Sequence, residues 1–342
     1  MIPHTQNSCK LHEDANSHLP TWQLALQRAV RDPRELLDLL DLPESLLAQT
    51  TQAHRQFPLL VPRYFVDLME KGNPHDPLLL QILPSAEELI AQTGYSTDPV
   101  DDINAMKQPG LLHKYHGRVL LTTTPACAVH CRYCFRRHFP YHEANPLQQN
   151  WSKAINYIQG QQDINEVILS GGDPLSLNDE RLLSLINKLE SVPHLSRLRI
   201  HTRQPVMLPS RITSPLLEAL QNSRFKIIMV IHANHQNELS EELKCVLHDV
   251  HLTGTTLLNQ SVLLRGVNNC ATTLANLSER LFECGVLPYY LHTLDKVEGA
   301  HHFNIPRQES NRIYTELRGR LPGYLVPKLV TEISGEPAKT IL

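Results

Sequence analysis

The sequence contains no run of about 18 apolar residues, so it offers no membrane-spanning helix. Its first residues, Met1-Ile-Pro-His-Thr-Gln-Asn-Ser8, lack the apolar core of a secretory signal peptide. No block of like charge stands out: 32 Lys and Arg face 35 Asp and Glu in 342 residues, a formal net charge of −3. That balance gives no basic surface for nucleic acid and no polybasic membrane patch. Internal repeats and low-complexity tracts are absent. A disulfide framework is missing too. The seven cysteines are odd in number, and Cys9, Cys245, Cys270 and Cys284 are scattered as plain thiols. Together these absences point to a reducing cytoplasm. Hydrophobic residues make up 41% and charged residues 20%, which suits one large globular domain or a domain with an appendage.

The remaining three cysteines are bunched in Cys127-Ala-Val-His-Cys131-Arg-Tyr-Cys134, a C-x3-C-x2-C array. Three thiolates can hold three corners of a cubic [4Fe–4S] cluster and leave the fourth iron open for a small molecule. A structural zinc site wants four protein ligands, and His130 or His138 can supply the fourth. Spacing alone leaves a cluster, a zinc site and unliganded thiols as alternatives.

The surrounding chain changes rhythm once. Residues 1–20 are polar and are expected to fray. From Trp22 to Gln56 the pattern is helical, with Asp32-Pro33-Arg34-Glu35 reading as a cap. A second helix is expected from Arg63 to Lys71. Residues 72–110 read as connecting loops with one helix near Ser85–Gln92. From Gly117 short apolar runs alternate with helical stretches, the pattern of a parallel α/β fold. Strands are expected at Val119–Thr123, Glu166–Leu169, Arg197–His201, Lys226–Ile231, Thr256–Leu264, Leu287–His292 and Tyr324–Val330. Helices are expected near 148–159, 178–190, 214–222, 239–251, 271–284 and 307–319. About six β-α units are too few for a closed eight-stranded barrel and suit a partial one, with ligands at the C-terminal strand ends. The organisation read from this is a mostly helical N-terminal extension, residues 1–110, and an α/β core, residues 111–342.

The cysteine array follows the first expected core strand. The second ends in Leu169-Ser-Gly171-Gly172-Asp173-Pro174, where glycines let a ligand approach the backbone or simply make a tight turn. Cysteine triplet and Gly-Gly-Asp together resemble the radical S-adenosylmethionine (SAM) superfamily. The resemblance implies a partial (β/α)6 barrel and a [4Fe–4S] cluster on Cys127, Cys131 and Cys134. SAM would be chelated to the open iron, with Gly171, Gly172 and Asp173 at its amino group. Four further stretches narrow it: Leu111-Leu-His-Lys-Tyr115-His-Gly-Arg118, Cys134-Phe-Arg136-Arg137-His138-Phe139, Arg203-Gln-Pro-Val-Met-Leu-Pro-Ser-Arg211 and Asn259-Gln260-Ser-Val-Leu-Leu-Arg265. They resemble the lysine 2,3-aminomutase family from about Pro109 onward. Lys71-Gly-Asn-Pro-His-Asp-Pro77 and Cys134-Phe-Arg-Arg-His-Phe-Pro-Tyr141 fit its short bacterial branch, which makes β-lysine for elongation factor P.

That resemblance implies further roles. The aminomutases need pyridoxal 5′-phosphate (PLP) on a lysine, which matches Lys339 in Gly335-Glu-Pro-Ala-Lys339-Thr. Lys328 is the competitor. Arg118 and Tyr115, with Gln260, match the phosphate positions, and Arg136 the substrate carboxylate position. Asp295 and Glu332 match the acids that hold the ε-ammonium; longer members carry Asp where Glu332 stands. His232 and Asn234 are expected on the adenosyl side. The implied substrate is free lysine, with a functional link to an elongation factor P lysine ligase. The alternatives are a catabolic lysine or glutamate aminomutase, or a non-enzymatic zinc module. A glutamate enzyme would want a cation where Asp295 and Glu332 stand.

Overall fold

The computed structural model describes residues 21–142, 144 and 151–342. The stretch expected to fray, Cys9, and the first residues of the helix expected near 148–159 lie outside them. Four helices come first: α1 (Thr21–Gln27), α2 (Pro33–Leu39), α3 (Leu47–Gln56) and α4 (Arg63–Val66). At α2 the Asp32 side chain accepts the Arg34 N–H at 2.9 Å, and Pro33 occupies the first turn. The helix expected to reach Lys71 stops at Val66. Leu68 and Met69 bond three residues back, which tightens the chain, and Asp76 takes the Glu70 N–H. The helix expected near Ser85–Gln92 is one 3₁₀ turn, Ala86–Leu89, held by a capping box between Ser85 and Glu88.

The sheet begins with β1 (Met106–Gln108), β2 (Leu111–Tyr115) and β3 (Arg118–Thr122). Helix α5 (Ser152–Gly160) leads to β4 (Glu166–Ser170), and α6 (Asp179–Glu190) to β5 (Arg197–Thr202). Helices α7 (Gln204–Met207) and α8 (Ser214–Asn222) precede β6 (Lys226–His232), and α9 (Glu241–Leu252) precedes β7 (Thr256–Val262). Next come α10 (Ala271–Glu283), β8 (Leu287–His292), α11 (Arg307–Arg320), β9 (Lys328–Thr331) and β10 (Thr340–Ile341). The strands lie side by side in chain order. Those from β3 to β9 run parallel, while β1, β2 and β10 pair antiparallel at the two edges. The sheet is open, and strands from β2 through β9 line one cavity, so it curls as a partial barrel. Six of the expected strands stand within two residues of their bounds.

The seventh is shorter than expected. Gly323–Leu325 is a 3₁₀ turn, and pairing starts only at Lys328, after Pro327. Of the β2–β3 hairpin, β3 was expected and β2 was not legible as a strand. The hairpin's two-residue turn, His116-Gly117, uses a φ of 72° at Gly117, a conformation glycine adopts without strain.

Every residue of β4 is buried, as expected of a strand covered on both faces. One apolar cluster joins Leu36, Phe65 and Ile82 of the N-terminal segment to Val167, Leu198 and Met229 of the sheet. The N-terminal segment therefore shares the barrel's core. It also grips the cysteine loop. Glu88 receives Arg132 through two bonds, at 2.8 and 2.5 Å, and Arg137 at 2.8 Å, all nearly solvent-free. Both guanidiniums stack on the Phe57 ring, at 4.7 and 4.5 Å. A buried carboxylate with two guanidiniums fixes geometry well even where its net energy is small.

Candidate active site

A cavity of about 720 Å³ opens at the C-terminal ends of the parallel strands. Cys127, Cys131 and Cys134 line it, on the loop after β3. Burial pushes the Cys127 thiol well up, and the Asp173 carboxylate and the other two cysteines add to the effect. Cys134 is pushed up to about 11, first by burial and then by Cys131. Such crowded, desolvated thiols ionise only beside a cation, which iron supplies. Among the described residues no three His, Cys, Asp or Glu converge on a single-ion site. His130 turns its Nδ1 to the Pro58 carbonyl at 2.8 Å and stacks on Phe57. His138 faces the Glu298 carbonyl at 3.4 Å. The zinc alternative thus loses its fourth ligand. A cubic cluster asks for three thiolates and no fourth protein ligand, and the three cysteines line one cavity.

The Gly-Gly-Asp turn lies against the root of the same loop. Gly171 has φ 119°, and a Cβ there would lie 3.0 Å from the Thr124 carbonyl oxygen. At Gly172 a Cβ would come within 2.4 Å of the Ala126 oxygen. The Gly172 and Asp173 N–H groups donate to Thr124 and Ala126, both at 2.8 Å. The glycines are therefore required first for the close approach of two backbone segments of this chain. Asp173 lines the cavity, yet its carboxylate serves as a clasp. It accepts from Leu175 N, Thr202 Oγ1, Arg203 N and Gln204 N at 2.7–3.0 Å, tying the β4 turn to the end of β5.

Opposite the cysteines, charges alternate in an unbroken chain. Arg136 Nε donates to Asp102 at 2.8 Å, and Nη1 donates to Ser170 Oγ at 3.1 Å. Lys114 Nζ reaches Asp102 at 2.6 Å and Glu332 at 3.0 Å. Lys339 Nζ meets the other Glu332 oxygen at 2.5 Å. Burial alone would raise Glu332, but the Lys339 and Lys114 ammoniums override it and bring it to about 2. The chain runs from the tail of the cysteine loop to Lys339 and places both ends in one cavity.

Asp295 differs. Among the described residues no cation forms an ion pair with it. Burial, and then the Glu332 charge, push its carboxyl up to about 7, and Lys339 pulls it part-way back. Glu332, by contrast, already pairs with two cations. Tyr115 and Arg118 stand together, the guanidinium 4.7 Å over the phenol ring, and both line the cavity. Burial and the nearby Glu332 raise the Tyr115 phenol. Gln260 and Lys328 line the cavity from β7 and β9. His232 lines it as well, its Nε2 3.1 Å from Tyr133 Oη, and burial keeps the imidazole neutral. Asn234, expected beside it, turns away into protein: Nδ2 donates to Gln81 and Tyr133.

The model of the Radical SAM superfamily matches residues 121–232, which hold the cysteine loop and the Gly-Gly-Asp turn. The chain is 51% identical over 323 residues to the L-lysine 2,3-aminomutase of Escherichia coli K12, covering 94% of each. Identity to the Haemophilus influenzae protein of the same name is 49%, over 94% of this chain and 95% of that one. To the L-lysine 2,3-aminomutase of Clostridium subterminale it is 34%, over 93% of this chain and 77% of that one. The chain belongs to the lysine 2,3-aminomutase family.

A [4Fe–4S] cluster and SAM come with this family, and PLP is characteristic of its aminomutases. The cavity has the chemistry for all three: a thiol triplet, a polar floor, and a lysine near a cation–phenol pair. Sequence reading passed over Asp102, Lys114, Arg203, Gln81 and Glu238. Lys114 and Arg203 stand inside stretches that carried the resemblance. The signal was there, without a reason to single them out.

Proposed function

We infer that the chain is a radical SAM lysine 2,3-aminomutase, moving the α-amino group of L-lysine to C3. The observation that carries this is the cavity's charge pattern. Asp295, an acid with no ion-pair partner among the described residues, lines the same space as the thiol triplet, Arg136 and Lys339. When bound, SAM on the cluster supplies the hydrogen-abstracting radical, and PLP carries the migrating amino group. The chain's own residues do the rest. Cys127, Cys131 and Cys134 hold the cluster, with Gly171, Gly172 and Asp173 shaping the SAM side and His232 its adenosyl side. Lys339 is the PLP lysine, with Arg118, Tyr115 and Gln260 toward the phosphate. Arg136, held edge-on by Asp102 and Ser170, presents its remaining N–H groups to the substrate carboxylate. Asp295 takes the ε-ammonium, and Glu332 supports it across the cavity. Walls that exclude water keep a radical from other partners.

A glutamate side chain would set its carboxylate against Asp295, so the acids favour lysine over glutamate. The short-branch stretches and the near-complete mutual coverage support β-lysine production for elongation factor P, acting with a lysine ligase in the cytoplasm. Elongation factor P from cells lacking this gene should then lose the mass of a β-lysyl group; an unchanged mass would rule that role out.

The Asp295 assignment has a pH signature. Its carboxyl titrates near 7, and an ammonium needs the ionised form. Lysine binding to the cofactor-loaded protein should tighten by up to about tenfold per pH unit below neutrality and level off above about pH 8. Asp295→Asn should flatten that profile and weaken binding by about 2–5 kcal/mol. Calorimetric titration across this range measures both, and an unaltered profile in the variant would remove Asp295 from the ammonium site.

A further inference from the structure

Arg203 follows β5, and its side chain lies beneath the cysteine loop. Its Nη1 donates to Cys131 Sγ at 2.8 Å and to Tyr133 Oη at 2.6 Å. Its Nη2 donates to Gln81 Oε1 at 2.7 Å and Glu238 Oε2 at 2.9 Å. The side chain is 7% exposed, and Glu238 is fully buried. Glu238 is itself pinned: its Oε1 accepts from Gln81 Nε2 at 3.0 Å, Asn234 N at 2.8 Å and His235 N at 3.0 Å. Three separate segments of the chain therefore fix one guanidinium against one sulfur. Among the described residues, Cys131 is the one member of the thiol triplet that receives a side-chain hydrogen bond from a cation.

A buried arginine with this many partners normally reads as a structural pin. Its contact with a cluster ligand gives it a second consequence. Reducing the cluster adds one negative charge, spread over irons and sulfurs. A cation and an N–H donor at a ligand sulfur stabilise that added charge, most strongly where water is excluded. We propose that Arg203 is a positioning residue that raises the reduction potential of the cluster through Cys131, and that Glu238 moderates it as the counter-charge. Gln81 ties the N-terminal segment into the same setting. The proposal rests on the cluster reading above.

The test is a redox titration followed by electron paramagnetic resonance, on the anaerobically reconstituted full chain without SAM. Arg203→Gln removes the charge while keeping a polar side chain. It should lower the midpoint so that the reduction equilibrium falls at least tenfold, about 59 mV for one electron. Arg203→Lys keeps the charge but loses the fork, so its potential should also fall, by less. Glu238→Gln leaves the guanidinium without its counter-charge and should raise the potential. Opposite signs separate tuning from packing, because a purely structural residue would lower cluster content or melting temperature without moving the midpoint of the clusters that remain. Should Arg203→Gln fail to fold, the fall in Arg203→Lys against the rise in Glu238→Gln carries the same test. Unchanged midpoints, or shifts of the same sign, would overturn the proposal. Absence of a [4Fe–4S] signal in the unaltered protein would instead overturn the cluster reading, so the two failures are distinct.

Discussion

Lys339→Ala is expected to abolish turnover and the covalent pyridoxal absorbance together, while iron, sulfide and the cluster absorbance stay at their full values. The rate should fall by roughly 10⁴-fold, about 5.5 kcal/mol of barrier. Lys339 reaches the cavity from the edge of the sheet, just before β10, with its amine on Glu332. The charge chain of Glu332, Lys114, Asp102 and Arg136 links it to the cysteine loop. Lys114 still neutralises Glu332 in the variant, so the fold should hold. Lys328 also lines the cavity and is the natural control. Lys328→Ala should keep the pyridoxal band. If the band survives in Lys339→Ala and vanishes in Lys328→Ala, the carrier lysine has been assigned to the wrong residue.

Gly172→Ala is expected to strip the cluster rather than the pyridoxal site. A Cβ there would sit 2.4 Å from the Ala126 oxygen and 2.7 Å from the Pro125 carbonyl. Both are backbone atoms at the entrance of the cysteine loop, so no flexible side chain can yield. Overpacking of this kind costs about 1–3 kcal/mol where the surroundings relax. Here relaxation means moving Cys127, one residue beyond. Reconstituted iron should therefore drop to less than half while the far end of the cavity keeps its lysine-bound pyridoxal. Gly160→Ala, with open space around the added carbon, should change neither. Full iron content in Gly172→Ala would mean that the turn does not set the loop.

The sequence disclosed the barrel because its core strands are short apolar runs between amphipathic helices, and these two periods are local. Strand β2 escaped because Leu111-Leu-His-Lys-Tyr115 carries no clean alternation; its strand character comes from pairing with β3. The run from Arg63 to Lys71 looked helical throughout because buried Phe65, Val66 and Met69 have helical spacing. It ends early because Leu68 and Met69 bond three residues back and the Asp76 side chain takes the Glu70 N–H.

The site divides along the same line. The three cysteines stand out in the sequence because a cluster asks for thiols in fixed spacing, and the fold brings them to one cavity. Lys339 drew notice only through the family, since a lysine three residues from the end otherwise reads as solvated; the fold turns it into the cavity. The charge chain was not legible. Asp102, Lys114 and Glu332 are far apart in sequence and meet only when β2 and β9 curl toward each other. Glu332 shows the same limit: the alignment of roles makes it a substrate acid, whereas in the fold it first neutralises Lys339 and Lys114. Asp295 has no such ion pair among the described residues, which is why the ammonium role is assigned first to it.

The most direct measurement is anaerobic incubation of the reconstituted protein with SAM, PLP, a low-potential reductant and L-lysine, with glutamate in parallel, followed by chromatographic and mass analysis of the amino acids. The account predicts β-lysine from lysine, no β-glutamate, and no product when any of the three cofactors is left out. Loss of SAM without β-lysine, or product from glutamate in preference to lysine, would contradict it.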